Sequence, residues 1–157
     1  MTGKPIRLLC VGKLKTPFWK DAASHYIQRI GRMRRIDCRE VRDGNPSLPT
    51  DRRKAEEGRR LLECPEPGDA LLVLDEGGTP LTSQGLADLL RGIDASSPGP
   101  PAFVVGGPYG LDPSVLARAS RIISLSSMTL PHELARVVLL EQLYRALCIL
   151  GNIPYHH

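Results

Sequence analysis

The stretch AFVVGGPYG, residues 102–110, is the part of the sequence that decides the fold. Its first four residues are apolar, as in a buried β-strand, and they run directly into a glycine-rich turn. In open α/β sheets, ligands bind at the carboxyl ends of the strands, and adjacent glycines let a ligand approach the backbone closely. The turn matches neither the GxGxxG dinucleotide fingerprint nor a P-loop, and taken alone it is also explained as a tight strand-to-helix turn.

Outward from this stretch, apolar runs alternate with helical periodicities. Further strands are predicted at residues 6–12, 36–41, 70–75 and 122–125. Helices are predicted at residues 17–33, 50–64, 83–94, 113–120 and 131–150, with candidate N-caps at Thr50, at Thr82 or Ser83, and at Asp112. Residues 76–80 are predicted to form a turn and residues 95–101 a flexible connector. The alternation predicts one α/β domain, residues 1–157, with a mainly parallel sheet that is covered on both faces.

The last helix carries apolar residues on more than one side. They are Leu134, Val137, Val138, Leu140, Leu143, Tyr144 and Leu147. A helix that is apolar on so many sides buries more than one face. Either it is a central core helix, or a second subunit covers the remaining face.

Composition indicates a protein of the cytoplasm with an affinity for anions. The formal net charge is +4 and the sequence pI is about 9.0, which suits an anionic partner without identifying one. The four cysteines form no CxxC pair, so a zinc site is not expected. They are expected to be reduced thiols, with Cys10 and Cys148 in the core. The start of the chain is not a convincing signal peptide. Four polar residues interrupt the apolar segment 134–150, which argues against a membrane span.

A second candidate binding segment is the loop LSSMTLPH, residues 125–132. It offers backbone donors and acceptors beside apolar side chains, which suits the edge and the faces of an adenine. The alternative is that Thr129 simply caps the last helix, and that His132 is a surface residue of its first turn.

Two further segments stand out. The chain ends in NIPYHH, residues 152–157. Histidines there can act as acid or base, although a terminus is normally frayed, and the adjacent pair has no metal-ligand partner at suitable spacing.

Residues 29–60 carry eleven basic and six acidic residues, whereas the rest of the chain is near neutral. That segment is either a footprint for a polyanion or a solvated face with ion pairs within a helix. With so few aromatic residues in the chain, an aromatic platform for stacking single-stranded RNA is not expected.

Taken together, FVVGGPYGL, then ISLSSMTLPHELARVVLLEQLYRA, then the NIPYHH ending resemble the RlmH family of SPOUT methyltransferases. The resemblance is strong over residues 70–157 and weaker but collinear before them. It implies a SPOUT-type α/β fold with a C-terminal trefoil knot, a feature that strand and helix patterns do not predict. It also implies a homodimer packed through the last helix, with S-adenosylmethionine as cofactor and no metal. The implied activity is methylation of N3 of a pseudouridine in 23S rRNA on the assembled ribosome.

The resemblance also implies the site residues. The methyl-donor pocket falls on Leu74, Gly106 and the loop Leu125, Ser126, Ser127, Met128, Thr129 and Leu130. The catalytic candidates are Arg145, Tyr155 and His156: Arg145 would hold the nucleotide's phosphate or carbonyl, Tyr155 and His156 would close over the base, and His156 could accept the N3 proton.

This sequence departs from the family's pattern at two positions. His157 ends the chain where relatives commonly continue with Arg or Lys, and Tyr109 stands where relatives often carry Glu. Two alternatives remain at this point. One is a ribosome- or RNA-binding module that keeps the fold without the activity, and the other is a SPOUT methyltransferase that acts on tRNA.

Overall fold

The computed structural model describes residues 3–155, and within them the chain forms one five-stranded parallel sheet in the order β2-β1-β4-β3-β5. The strands are β1 (Ile6–Val11), β2 (Ile36–Val41), β3 (Ala70–Pro80), β4 (Pro101–Val105) and β5 (Arg121–Ser124). The helices are α1 (Pro17–Gly31), α2 (Thr50–Leu62), α3 (Ser83–Ser96), α4 (Pro113–Arg118) and α5 (His132–Leu150). All strand pairs are parallel, so the predicted α/β sheet is confirmed.

Helices cover both faces of the sheet, as the sequence predicts. Alternate strand residues point to opposite faces, so β1, β3 and β4 each contribute to two apolar clusters. Phe103 belongs to the larger cluster with α1, α3 and α5, whereas Val104 belongs to the smaller one with α2 and α4. Cys10 and Cys148 are both buried in the larger cluster, which confirms their place in the core.

The predicted turn at residues 76–80 is wrong, because β3 continues through it. After an irregularity between Leu74 and Thr79, Thr79 pairs with Ile123 and Pro80 with Ser124 of β5. Gly78 permits this pairing: a Cβ there would lie 2.8 Å from backbone atoms of β5. Adjacent glycines indicate a turn when only the local sequence is considered, but here Gly78 serves a close approach of two backbones.

Helix ends follow the predicted caps only in part. Thr82 accepts a hydrogen bond from the Gly85 backbone N–H at 2.9 Å, and Asp112 accepts one from Ser114 at 3.0 Å, so both caps are confirmed. The prediction for Thr50 is wrong, since Pro49 holds the N-cap position of α2 and no side chain caps that helix. Gly151 follows the last residue of α5, as expected.

Most of α5 is a core helix. Nine of its residues are buried, including Leu139, Leu143 and Leu147, each with 0% exposure. The central-core interpretation therefore accounts for most of its apolar surface within one chain. Leu134, Val138 and Ile149 stay partly exposed beside charged residues. Among residues 3–155, no helix is both long and apolar enough to cross a membrane.

Candidate active site

A cavity opens where the carboxyl ends of β3, β4 and β5 meet. Its volume is about 940 Å³, which is at the upper end for a small-molecule site. Three loops form its wall: the end of β3, the turn after β4 and the loop between β5 and α5. Of the eight residues expected to hold a methyl donor, all but Ser127 line it: Leu74, Gly106, Leu125, Ser126, Met128, Thr129 and Leu130.

Hydrogen bonds within the chain shape the loop between β5 and α5. The Ser124 hydroxyl donates to the Ser126 carbonyl at 2.8 Å, and the Met128 backbone N–H donates to the Ser126 hydroxyl at 2.9 Å. Thr129 donates through its hydroxyl to Glu76 at 2.7 Å, which ties the loop to the end of β3. Thr129 does not cap α5, because Pro131 holds that position without a side-chain cap.

The glycine-rich turn after β4 forms the opposite wall. Gly107 and Gly110 form an isolated backbone bridge, and Gly110 has a φ of 84°, which favours glycine. A Cβ at Gly106 would lie 2.9 Å from Leu111, so that position also needs a glycine. Tyr109 projects from the turn with half of its surface exposed, and the Arg53 guanidinium lies 4.8 Å from its ring centroid.

Two of the expected catalytic residues lie together at the other end of α5. Glu141 accepts a 2.6 Å hydrogen bond from Arg145 and a 3.3 Å hydrogen bond from the Tyr155 hydroxyl. The Arg145 guanidinium also stacks on the Tyr155 ring at 4.8 Å, and Tyr155 packs edge-on against Tyr144. His156, the third candidate, lies outside the described residues.

The charge states of this cluster follow from its contacts. Burial, reinforced by the Tyr26 hydroxyl, raises the pKa of Tyr155 to about 12, so Tyr155 stays protonated near neutral pH. The hydrogen bond from Arg145 to Glu141 raises the pKa of Arg145, which therefore stays a cation. Tyr155 can donate a hydrogen bond there, but it cannot serve as a base at neutral pH.

The cavity and this cluster are separated within one chain. His132 lines the cavity at the start of α5, and Arg145 lies thirteen residues later on the same helix. At about 1.5 Å of rise per residue, the helix places them roughly 20 Å apart along its axis. The expected donor pocket therefore does not meet Arg145 or its neighbour Tyr155 in a single copy.

Comparisons with known proteins identify the family to which the chain belongs. The family model described as "Predicted SPOUT methyltransferase" matches residues 5–156. The chain belongs to the SPOUT methyltransferase family. A relative from Desulfovibrio desulfuricans, named ribosomal RNA large subunit methyltransferase H, is 61% identical over 157 residues, which is 100% of both chains. One of the same name from Nitratidesulfovibrio vulgaris (strain Miyazaki F) is 52% identical over 154 residues, which is 98% of this chain and 99% of the relative.

Solved structures of other methyltransferases share the SPOUT fold at low identity. A probable methyltransferase from Bordetella pertussis superposes with a TM-score of 0.56 at 20% identity, over 92% of this chain and 96% of its own. The SpoU methyltransferase AviRb from Streptomyces viridochromogenes, solved with AdoMet, gives 0.51 at 13% identity, over 99% of this chain and 61% of its own. At such identities the likeness concerns the fold, and the trefoil knot itself stays a prediction.

Several residues of this SPOUT cavity were not anticipated from the sequence. Lys54 of α2, together with Asp75 and Glu76 at the end of β3, lines the same space as the glycine turn. The sequence did not single out Lys54, because it is one of eleven basic residues in the segment 29–60. Only the packing of α2 beside the turn after β4 selects it.

Part of the basic segment 29–60 forms ion pairs within the chain, and part of it stays unpaired, so each of the two interpretations of this segment fits some of its residues. Arg59 pairs with Glu63 at 3.3 Å and Arg60 with Glu56 at 3.6 Å, which are the expected pairs within α2. Arg52 is exposed and makes no ion pair among the described residues. Arg34 is buried and pairs with Asp94 at 2.7 Å, and Arg35 pairs with Asp37 at 3.1 Å. Ion pairs thus explain part of the charge, and exposed cations without a pair, such as Arg52, stay available to an anionic partner.

Proposed function

We propose that this SPOUT methyltransferase uses S-adenosylmethionine to methylate N3 of a pseudouridine in large-subunit (23S) ribosomal RNA, on assembled ribosomes in the cytoplasm. The observation that carries the proposal is the identity of 61% over the whole chain to a relative named ribosomal RNA large subunit methyltransferase H. The cavity at the carboxyl ends of β3, β4 and β5 supports it, because a fold of this class binds ligands there.

The residues of the cavity fit the proposed donor. Aliphatic side chains of Leu74, Leu125 and Leu130 suit the faces of an adenine, while the backbone of the two loops suits its polar edge. Gly106 has no side chain to narrow the wall, and the cavity is large enough for a nucleoside with an amino-acid tail. When bound, S-adenosylmethionine supplies an electrophilic methyl group on its sulfonium.

The chain itself would supply alignment and help with a proton. Pseudouridine N3 carries a proton between two carbonyls and is a poor nucleophile until that proton leaves. In this proposal Arg145, held by Glu141, contacts a phosphate or a carbonyl of the nucleotide. Tyr155 donates a hydrogen bond from its protonated hydroxyl. His156 remains the proposed proton acceptor, directly or through water.

A homodimer is part of this proposal. The roughly 20 Å between the cavity and the Arg145 cluster leaves each single copy with two halves of a site that do not meet. A second copy that packs along the partly exposed stripe of α5 would bring its own Arg145 and Tyr155 to the cavity of the first. In that arrangement each active site draws on both subunits.

The decisive experiment is methyl transfer from labelled S-adenosylmethionine to ribosomes that lack the modification. Free rRNA and tRNA run in parallel, and the product is mapped by mass spectrometry. Label on a large-subunit pseudouridine, with ribosomes preferred, is the expected result. Label on tRNA alone would overturn the substrate. Failure to bind the donor at all would overturn the activity and leave a ribosome-binding module.

A further inference from the structure

A second cavity lies between α1 and β2, which is the edge strand of the sheet. It has a volume of about 380 Å³ and is separate from the proposed donor cavity. We call it the edge groove. Its floor is apolar and is built from Leu8, Cys10, Ala23, Ile27 and Cys38. Neither the family's site residues nor the proposed chemistry uses it.

Two lysines flank this apolar floor. Lys13 and Lys20 line the edge groove, and neither is in an ion pair among residues 3–155. Glu40 is the one carboxylate among the lining residues, and Arg136 binds it at 2.7 Å. The groove therefore combines an apolar surface with two cations whose charge is not neutralised locally.

Arg136 adds a buried donor to the edge groove. It is 5% exposed, and besides Glu40 it donates to the Gly12 carbonyl at 2.8 Å. Its Nε is buried and has no hydrogen-bond partner within the described part of the chain. Cys38 is exposed on the edge strand, yet desolvation by its neighbours raises the pKa of its thiol to about 11, so the thiol stays uncharged near neutral pH and adds no negative charge.

The edge groove adjoins the proposed active site through the loop between β1 and α1. Lys13 and Leu14 of this loop line the groove. The next residues of the loop are fastened to α5, because Glu133 accepts hydrogen bonds from the Lys15 backbone N–H and, at 2.7 Å, from the Thr16 hydroxyl. The neighbour of Glu133 is His132, which lines the donor cavity. One short loop thus separates the two cavities.

We propose that the edge groove binds an unpaired nucleotide of the RNA substrate, close to the nucleotide that is methylated. A base would lie against the aliphatic and thiol floor, and the flanking phosphates would contact Lys13 and Lys20. The apolar floor favours a nucleotide over an acidic peptide, which would need the cations but not the flat apolar surface. This inference rests on the proposed function for the identity of RNA as the partner.

The test uses two kinds of variant in the full-length protein. The double variant Lys13→Glu, Lys20→Glu reverses two charges at the groove, and Ser24→Trp fills it from the exposed side of α1. The matched controls are the double variant Arg118→Glu, Arg121→Glu, which reverses two exposed cations outside the groove, and Ser96→Trp on α3. Each is assayed for binding of ribosomes and of a short single-stranded oligoribonucleotide, for S-adenosylmethionine binding, and for kcat and KM.

The expected result is that both groove variants weaken oligoribonucleotide and ribosome binding by about tenfold or more and raise KM, while donor affinity and kcat hold. The double variant should also lower the slope of log affinity against log salt by about 1.4, or about 0.7 for each phosphate that the variant no longer binds. The controls should match the wild type.

Other outcomes overturn the inference. Groove variants that behave like their controls exclude the groove from RNA binding. An effect of the charge reversals without an effect of Ser24→Trp excludes an inserted base. Loss of ribosome binding with oligoribonucleotide binding intact indicates an acidic protein partner instead. Because RNA binding is read directly, the result stays separate from methyl transfer, on which the proposed function depends.

Discussion

Replacing Gly78 by alanine should test the contact between β3 and β5 that shapes the donor cavity. A Cβ at this position would lie 2.8 Å from the Ile122 carbonyl carbon and from the backbone of Ile123. Ordinary van der Waals contact begins at 3.4 Å, so at least 0.6 Å must be gained by moving one strand. Backbone atoms of a paired strand cannot turn aside as the end of a flexible side chain can.

The size of the effect follows from that clash. Overpacking of this kind costs about 1–3 kcal/mol, and the gain from a less flexible unfolded chain offsets about 0.5 kcal/mol of it. A net loss of about 1.5 kcal/mol lowers the Tm of a chain of this length by about 3–6 °C. Gly92 is the matched control: it lies inside α3, and a Cβ added there would meet no atom within 4 Å, so Gly92→Ala should stabilise by about 0.5–1 kcal/mol.

The assay is thermal and urea unfolding of both variants, followed by titration with S-adenosylmethionine at a temperature where each is folded. Gly78→Ala should lose stability and also bind the donor more weakly, because β3 and β5 lead into two walls of the cavity. A Gly78→Ala protein with the Tm of the wild type would refute the close approach of these strands. A large loss in Gly92→Ala as well would show that the chain tolerates no added methyl group, and that the reasoning from local space is wrong.

Three further predictions concern other parts of the chain. Glu133→Ala should destabilise by about 1 kcal/mol in urea, because it removes the acceptor for the backbone at the start of α1; an unchanged midpoint would contradict this. Burial raises the pKa of the Cys10 thiol to about 12, above that of a thiol in the unfolded chain. The contribution of Cys10 to the free energy of unfolding is therefore complete below about pH 8 and declines as pH rises toward 12. The wild type should lose stability over that range faster than Cys10→Ala. Arg145→Ala and Leu130→Arg subunits should each be inactive alone. Mixing them should restore about one quarter of wild-type activity, because random pairing makes half of the dimers mixed and each mixed dimer has one intact site. No recovery would mean that both residues belong to the site of one subunit.

The sequence alone determined the architecture because its local signals agree with one another. Short apolar runs at β1 and β4 begin or end within a residue or so of their prediction, since each run fills both faces of a covered sheet. The motifs after β4 and β5 also indicated the donor cavity, as seven of the eight expected residues line it. The motifs and their order along the chain were enough to identify the family.

Only the tertiary structure decided what depends on residues distant in sequence. The glycines at the end of β3 indicate a turn when they are judged without β5, whose backbone they allow to approach. Lys54 and the edge groove became visible only when α2 was seen beside the turn after β4, and α1 beside β2. The separation of Arg145 from the cavity likewise became visible only when the start of α5, and not its later turns, was seen to line the cavity. Periodicity reports which side of an element is buried, but the partner that buries it is set by packing.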